Sequence, residues 1–233
     1  MHVKIVFQGT RADVYVNHGQ EPLLRVPELK RAPQSGKVAV WAGAPATGQM
    51  TFANYSASSH IDKPLSALAP AKASAGQLMQ WKVSSRLAAP DTIIAPRELT
   101  SALRDALRAG RVVGAESDGL VNLTRIVGNP AGAQQENVFG GAGWGLALAT
   151  ATLDADRAKT VRLRFGFSDG ISIFLNGARV FSGAHPYASP DLGRIVDVAN
   201  EVELPLNKGS NELVFAVTDR AFGWGFRARI DPW

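Results

Sequence analysis

The sequence contains no cysteine, and this absence excludes three kinds of chemistry. There can be no disulfide bond, no thiolate zinc ligand and no cysteine nucleophile. The four histidines do not stand at zinc-protease spacing; they are His2, His18, His60 and His185. The sequence therefore predicts no disulfide or histidine–cysteine zinc site. The absence of cysteine does not by itself identify a cellular compartment.

Long apolar runs and clustered charge are also missing. No uninterrupted run reaches the roughly 18 apolar residues that indicate a membrane span. The formal net charge is +5, but basic residues mostly alternate with apolar ones instead of clustering, so we expect no nucleic-acid partner. The first residues, MHVKIVFQG, resemble a strand in progress and not a secretory signal. We therefore expect the chain to be part of a longer precursor or an incomplete gene product.

Residues 161–181 carry the clearest strand pattern in the chain. Apolar side chains alternate with polar or small ones over 161–168, as in a strand with one buried face. A second strand ends at Asn176-Gly177, a dipeptide that favours a two-residue hairpin turn. Such a hairpin has apolar side chains on both faces. Its predicted partners are Leu175 with Ala178, Ile173 with Val180, and Ser172 with Phe181.

The remaining patterns predict an all-β chain. Four or five short strands fill residues 3–58, and residues 97–109 form one short amphipathic helix that we expect to cap one end of a sandwich. About eight strands follow residue 81. We predict an antiparallel β-sandwich or jelly roll with one short helix, preceded by a partial second sandwich. The predicted domains are a partial sheet domain at 1–60, a linker rich in Ala, Pro, Ser and Lys at 61–80, and the jelly roll at 81–233.

The strands of the first half have a recognisable order: VKIVFQG, RADVYVN, LLRVPELKR, GKVAVWAG and FANYSA. This order resembles the C-terminal part of the concanavalin-A-like, laminin-G-like sandwich in the 3-keto-disaccharide hydrolase-like family. The strands that precede this part in the family are absent here. The resemblance therefore implies no catalytic residue in this chain.

The second half contains DGLVNLTR, LRFGFSDGISIFLNGARVFSG, EVELPLNKGSNELVFAV and FGWGFRARI. These segments resemble the galactose-binding-domain-like jelly rolls over residues 112–231. The resemblance implies attachment to secreted, sugar-active bacterial proteins, a periplasmic or extracellular location, and carbohydrate binding by loops at one end of the sandwich. It also implies a structural calcium as an open alternative, for which Asp154, Asp156, Glu116 and Asp118 supply oxygen ligands.

The loop after the hairpin contains the candidate ligand residues His185, Tyr187, Asp191 and Arg194. An aromatic ring can cover the apolar face of a sugar, while polar side chains bond its hydroxyl groups. An ordinary proline-rich loop is the alternative. Trp224 lies between glycines, which suits either a core tryptophan or a ligand platform.

The segment Gly166-Phe167-Ser168-Asp169-Gly170 matches the G-x-S-x-G pattern of a hydrolase nucleophile. That pattern requires a turn from a strand into a helix, whereas another strand follows here. We therefore interpret Ser168-Asp169-Gly170 as a turn and assign no catalytic residue.

Three functions remain open. The leading hypothesis is a non-catalytic, carbohydrate-binding or accessory β-sandwich region of an exported bacterial protein. The second is a fragment of a glycoside-active hydrolase whose catalytic residues lie upstream. The third is a structural module that covers another sheet of the chain or makes a homo-oligomer contact.

Overall fold

A computed structural model describes residues 1–26, 29, 35–38, 52–60, 65, 74–89, 95–128, 145–185, 200–219 and 224–231. The chain divides into two compact units, Met1–Pro70 and Ala71–Trp233. The domain boundaries expected from the sequence stay predictions. Near the start of the second unit, the Gly76 carbonyl accepts a hydrogen bond from the Ile230 backbone N–H at 2.9 Å. Gln77 forms an isolated antiparallel β-bridge with Arg229.

The first unit contains a three-stranded antiparallel sheet in the order β1-β2-β3. Its strands are β1 (Val3–Gln8), β2 (Arg11–Val16) and β3 (Leu24–Val26). Gly9, with φ of 60°, lies in the tight β1–β2 turn, where positive φ favours glycine. The sequence also predicts a strand over residues 49–57, QMTFANYSA, but the described residues 52–60 contain no strand.

The second unit is a sandwich of two antiparallel sheets, which confirms the predicted all-β class. The larger sheet has the order β11-β10-β13-β8-β4-β6, with β5 paired to β8, and the smaller has the order β12-β9-β14-β7. The strands and helices of this unit are β4 (Gln80–Val83), β5 (Leu87–Ala88), α1 (Ser101–Arg108), β6 (Arg111–Gly114), β7 (Val121–Asn122), α2 (Leu123–Val127), β8 (Gly145–Ala155), β9 (Lys159–Ser168), β10 (Gly170–Leu175), β11 (Ala178–Ala184), β12 (Asn200–Leu206), β13 (Gly209–Asp219) and β14 (Gly225–Ile230).

The core lies between the two sheets and is rich in aromatic side chains. Phe165 of the smaller sheet lies 6.1 Å, between ring centroids, from Phe215 of the larger. Trp81, which is only 1% exposed, packs against Phe215 and Phe226 at centroid distances of 5.0 and 4.8 Å. The contacts of Phe165 with Phe215 and of Trp81 with Phe226 are edge-on, and such contacts stabilise a core beyond the area that they bury.

The predicted hairpin is β10–β11, and its turn is confirmed. Asn176 and Gly177 have φ of 51° and 85°, as a two-residue turn requires. Leu175 pairs with Ala178 as predicted, but the register then shifts, so that Ile173 pairs with Phe181 and Ser172 with Ser182. The rest of the predicted register was therefore wrong, because a β-bulge inserts one extra residue in β11.

Both faces of β10 are buried, as the sequence predicted. Ile173 faces the core between the sheets, and Phe174 faces outward into a second cluster beneath α1. In that cluster Leu99 and Leu107 pack against outward-facing side chains of β8, β10 and β13. The helix thus covers the outer face of the larger sheet, whereas the sequence led us to expect it at an end of the sandwich.

The pattern of residues 119–128, GLVNLTRIVG, predicts a strand, but residues 123–127 of this segment form the helix α2. Asn122 caps it by accepting a hydrogen bond from the Arg125 backbone N–H at 3.1 Å. The described part of the chain therefore has two short helices where we predicted one. Neither is long and apolar enough to cross a membrane.

Candidate functional site

Buried polar side chains gather where β9, β10 and β13 meet. β9 and β10 belong to different sheets, and the chain passes between them through Ser168 and Asp169. The peptide bond between these two residues is cis. Ser168 and Asp169 are 3% and 5% exposed, and Asp219 at the end of β13 is 1% exposed. Two carboxylates are thus buried at the same end of the sandwich.

Hydrogen bonds hold these residues in place. The Asp169 backbone N–H donates to the Thr218 carbonyl at 2.9 Å, and the Ser168 hydroxyl donates to the Asp169 carboxylate at 2.9 Å. Gly170 of β10 pairs with Thr218 of the antiparallel strand β13. The next residue outward on each strand is an aspartate, so Asp169 and Asp219 lie close together at the same edge of this pair. We call Ser168, Asp169, Thr218, Asp219 and His185 the polar end.

His185 joins the polar end through its backbone. Its N–H donates to the Asp169 carbonyl at 2.5 Å, and its ring lies 5.1 Å, centroid to centroid, from the buried Phe167 ring. The residue is nevertheless exposed to solvent. An exposed imidazole can donate and accept hydrogen bonds, and here it rests beside an aromatic ring. Its contact with a ligand stays a prediction.

Three of the other predicted ligand residues, Tyr187, Asp191 and Arg194, lie outside the described residues. Trp224 is described and is 1% exposed within the core. Its backbone N–H donates to the Thr124 hydroxyl at 3.0 Å, and its ring nitrogen makes no hydrogen bond to a described residue. Gly225 pairs with Ser168, so Trp224 is close to the polar end in the fold, but its ring belongs to the core.

Sequence reasoning missed Ser168, Asp169, Thr218 and Asp219 as members of one site. The sequence predicts a turn at Ser168 and Asp169, and a strand over residues 211–218 that ends at Thr218 and leaves Asp219 outside it. In each of the segments 168–169 and 218–219, an aspartate stands at the end of a strand with buried side chains. This position of the two aspartates is the sequence feature that could have indicated the site. The described connection from β9 to β10 joins two strands, so the structure confirms that the G-x-S-x-G segment is not a strand-to-helix elbow.

Three of the four carboxylates that the sequence offers as calcium ligands form ion pairs with lysine or arginine side chains. Asp156 lies 3.1 Å from the Lys159 ammonium, whose hydrogen bond and charge lower the pKa of Asp156. Asp118 lies 2.6 Å from the Arg227 guanidinium, and Glu116 lies 3.7 Å from Arg125. Among the described residues there is no group of three or more histidine, aspartate or glutamate side chains that could hold a metal ion.

Solved structures similar to this chain have low identity and low TM-scores. No family model and no curated protein matches the sequence. Among solved structures, a family 35 carbohydrate binding module from an environmental isolate is 19% identical, with a TM-score of 0.30, over 37% of this chain and 66% of its own. The PA14 sugar-binding domain from an RTX adhesin is 12% identical, with a TM-score of 0.31, over 67% of this chain and 90% of its own.

A β-glucosidase from Kluyveromyces marxianus, in complex with glucose, is also similar. It is 12% identical, with a TM-score of 0.38, over 66% of this chain. The matched part is only 15% of the enzyme's own length. At such TM-scores these similarities do not assign a function, and the all-β class follows from the strand pairing of the chain itself.

Proposed function

We propose that the unit Ala71–Trp233 is a non-catalytic carbohydrate-binding module of the galactose-binding-domain-like kind, within an exported bacterial protein. The observation that carries the proposal is the polar end, where the exposed His185 is hydrogen-bonded through its backbone to the buried Asp169. Loops at one end of a β-sandwich commonly carry binding residues, because the sheets hold the loop ends rigidly.

In this proposal His185 bonds a sugar hydroxyl, and the backbone of Asp169 positions it through the 2.5 Å hydrogen bond. Phe167 supports the imidazole ring from the core side. Tyr187, Asp191 and Arg194 follow within nine residues of His185 along the chain. We propose that the tyrosine covers the apolar face of the sugar, and that the other two side chains bond further hydroxyl groups.

Affinity gel electrophoresis against a panel of polysaccharides tests the proposal. At least one polysaccharide should retard the wild-type chain, and His185→Ala and Tyr187→Ala should each weaken the retardation by about tenfold, which corresponds to about 1.4 kcal/mol. His2→Ala is the matched control, because His2 is an exposed histidine in the other unit. It should behave like the wild type.

Two results would contradict the proposal. One is the absence of retardation by every polysaccharide tested. The other is retardation that neither His185→Ala nor Tyr187→Ala changes. Release of reducing sugar by the purified chain would instead favour the hydrolase alternative.

A further inference from the structure

β1 forms an open edge of the sheet in the first unit. In the described part of the chain β1 pairs with β2 alone, and the order β1-β2-β3 leaves its other side without a neighbouring strand. The strand is six residues long, Val3–Gln8. An open edge presents backbone N–H and C=O groups that can pair with a strand of another chain. This edge is therefore a candidate interaction surface, and it shares no residue with the polar end.

The register of β1 with β2 identifies the backbone groups that face the open side. The Asn17 backbone N–H donates to the His2 carbonyl at 2.8 Å, so these two residues are a hydrogen-bonded pair. Hydrogen-bonded pairs alternate along an antiparallel ladder, and the even-numbered residues of β1 therefore bond to β2. Val3, Ile5 and Phe7 direct their N–H and C=O groups away from β2. Among the described strands, none pairs with these groups.

The same three residues present apolar side chains to solvent. Val3, Ile5 and Phe7 are 46%, 49% and 57% exposed. Side chains of alternate residues lie on one face of a strand, so the three form one apolar row beside the open edge. Exposed apolar side chains that adjoin one another are typical of a protein contact. The edge thus offers both backbone polar groups and apolar side chains to a partner strand.

The other described sheet edges have features that hinder strand pairing. In β12 the side chains of Glu201, Glu203 and Pro205 are exposed, and β11 contains a bulge. β3, β6 and β7 have only three, four and two residues. Charged side chains, proline, bulges and short strands all protect an edge against pairing with another chain. β1 is instead a regular strand whose only charged side chain is Lys4.

A second copy of the chain fits this edge, because β1 is self-complementary. When two copies of β1 pair antiparallel about a two-fold axis at Ile5, each Ile5 lies opposite the partner's Ile5, and each Val3 lies opposite the partner's Phe7. This register pairs all three residues whose backbone groups face the open side, which gives about six hydrogen bonds. Lys4 then lies opposite the partner's Val6, so no like charges face each other directly.

The apolar rows of the two copies also meet in this register. Residues that lie directly opposite each other on paired strands have their side chains on the same face, where apolar pairs stabilise the pairing. We propose that the chain forms a two-fold symmetric dimer in which the two β1 strands pair antiparallel and join two three-stranded sheets into one. This inference goes beyond the proposed carbohydrate site and does not depend on it.

Sedimentation velocity of the full chain over a concentration series tests the dimer. The mass should rise from the 24.8 kDa of one chain towards twice that value. Ile5→Lys places two ammonium groups opposite each other at the two-fold axis and should raise the dimer dissociation constant by about tenfold or more. Val112→Lys changes a 71% exposed valine on the edge strand β6 and should dimerise like the wild type.

Single cysteines test the register, because the chain has no cysteine and any disulfide must join two copies. Ile5→Cys should form a disulfide-linked dimer on mild oxidation, since directly opposite residues lie within disulfide reach. Val3→Cys is the matched control, with a similarly exposed side chain in the same row. Its copy in the partner lies four positions out of register, beyond disulfide reach, so it should link at least about tenfold more slowly.

Ile5 is half exposed, so neither of its variants should disturb the fold of one chain, and circular dichroism checks this. Three results would each overturn the inference. The chain stays monomeric at every concentration, Ile5→Lys dimerises like the wild type, or Val3→Cys forms the disulfide as fast as Ile5→Cys.

Discussion

Asn211 is the polar residue on which two turns of the sandwich depend. Its side chain is fully buried, with 0% exposed. Its carbonyl oxygen accepts from the Asn176 amide at 2.9 Å and from the Asn207 backbone N–H at 2.8 Å. Its amide donates to the carbonyls of Asn207, Gly209 and Leu153 at 2.8, 3.1 and 3.3 Å. One side chain thus joins the β10–β11 turn to the β12–β13 turn.

We expect Asn211→Ala to lower the free energy of unfolding by about 2–4 kcal/mol, because it leaves several buried backbone groups without partners. Urea denaturation followed by tryptophan fluorescence measures this change. Ser210→Ala, an exposed neighbour on β13, is the control and should stay within about 0.5 kcal/mol of the wild type. A loss for Asn211→Ala as small as that of the control would contradict the role assigned to Asn211.

The outer face of the smaller sheet carries an ion-pair cluster around Asp231. The Arg164 guanidinium donates to the Asp231 carboxylate at 2.9 Å, and Arg229 lies 3.3 Å from its other oxygen. The hydrogen bond from Arg164 lowers the pKa of Asp231, and the same pair raises the pKa of Arg164. A carboxylate whose pKa is lowered by folding stabilises the folded state above its unfolded pKa.

We therefore expect Asp231→Asn to reduce stability at neutral pH. This difference from the wild type should shrink as the pH falls below about 3.9, the ordinary pKa of aspartate, and should vanish below the lowered pKa of the folded state. Urea denaturation over a pH series measures it. Asp154→Asn controls for the change in net charge. A difference that stays constant over the whole pH range would argue against the ion pair as its cause.

At the scale of elements, α1 illustrates how a local pattern acquires its role from packing. Thr100 caps the helix by accepting a hydrogen bond from the Leu103 N–H at 3.3 Å. Leu107 is 5% exposed, and with Leu99 it packs on Leu148, Phe174 and Val214 of the larger sheet. The apolar spacing predicted a helix with one buried face. The location of that face on the sheet came from the tertiary structure.

Leu107→Ala should lower the free energy of unfolding by about 2–4 kcal/mol, because it leaves a cavity between α1 and the sheet. Chemical denaturation gives the value. Ser101→Ala changes an exposed residue in the first turn of the same helix and should cost much less. Equal losses for the two variants would mean that α1 does not pack on the sheet as described.

At the scale of the whole chain, the two units and the predicted linker at 61–80 can be tested together. The predicted linker contains Lys63 and Lys72, and Lys72 precedes the residues that pair with β14. Trypsin does not cleave a Lys–Pro bond, so the bond between Lys63 and Pro64 should stay intact. We expect brief trypsin treatment to cut after Lys72 first, leaving a fragment of residues 73–233 that resists further cleavage. Mass spectrometry identifies the fragment. First cleavage at Lys82, Arg162 or another site within the sandwich strands would contradict this division.

The sequence determined the features that depend on local geometry. Alternation in β9, the Asn176-Gly177 turn and the apolar spacing of α1 each follow from backbone preference and side-chain direction, so they were predictable from a few neighbouring residues. The all-β class follows from many such patterns together. Local patterns also indicated that both faces of β10 are buried.

The tertiary structure decided which strands meet. It places β9 and β10 in different sheets, inserts the bulge in β11, and folds residues 123–127 into a helix within a segment that the sequence assigned to a strand. It also brings Asp169 near Asp219, fifty positions away along the chain. Pairing between distant segments depends on burial and register across the whole core, and no short stretch of sequence contains that information.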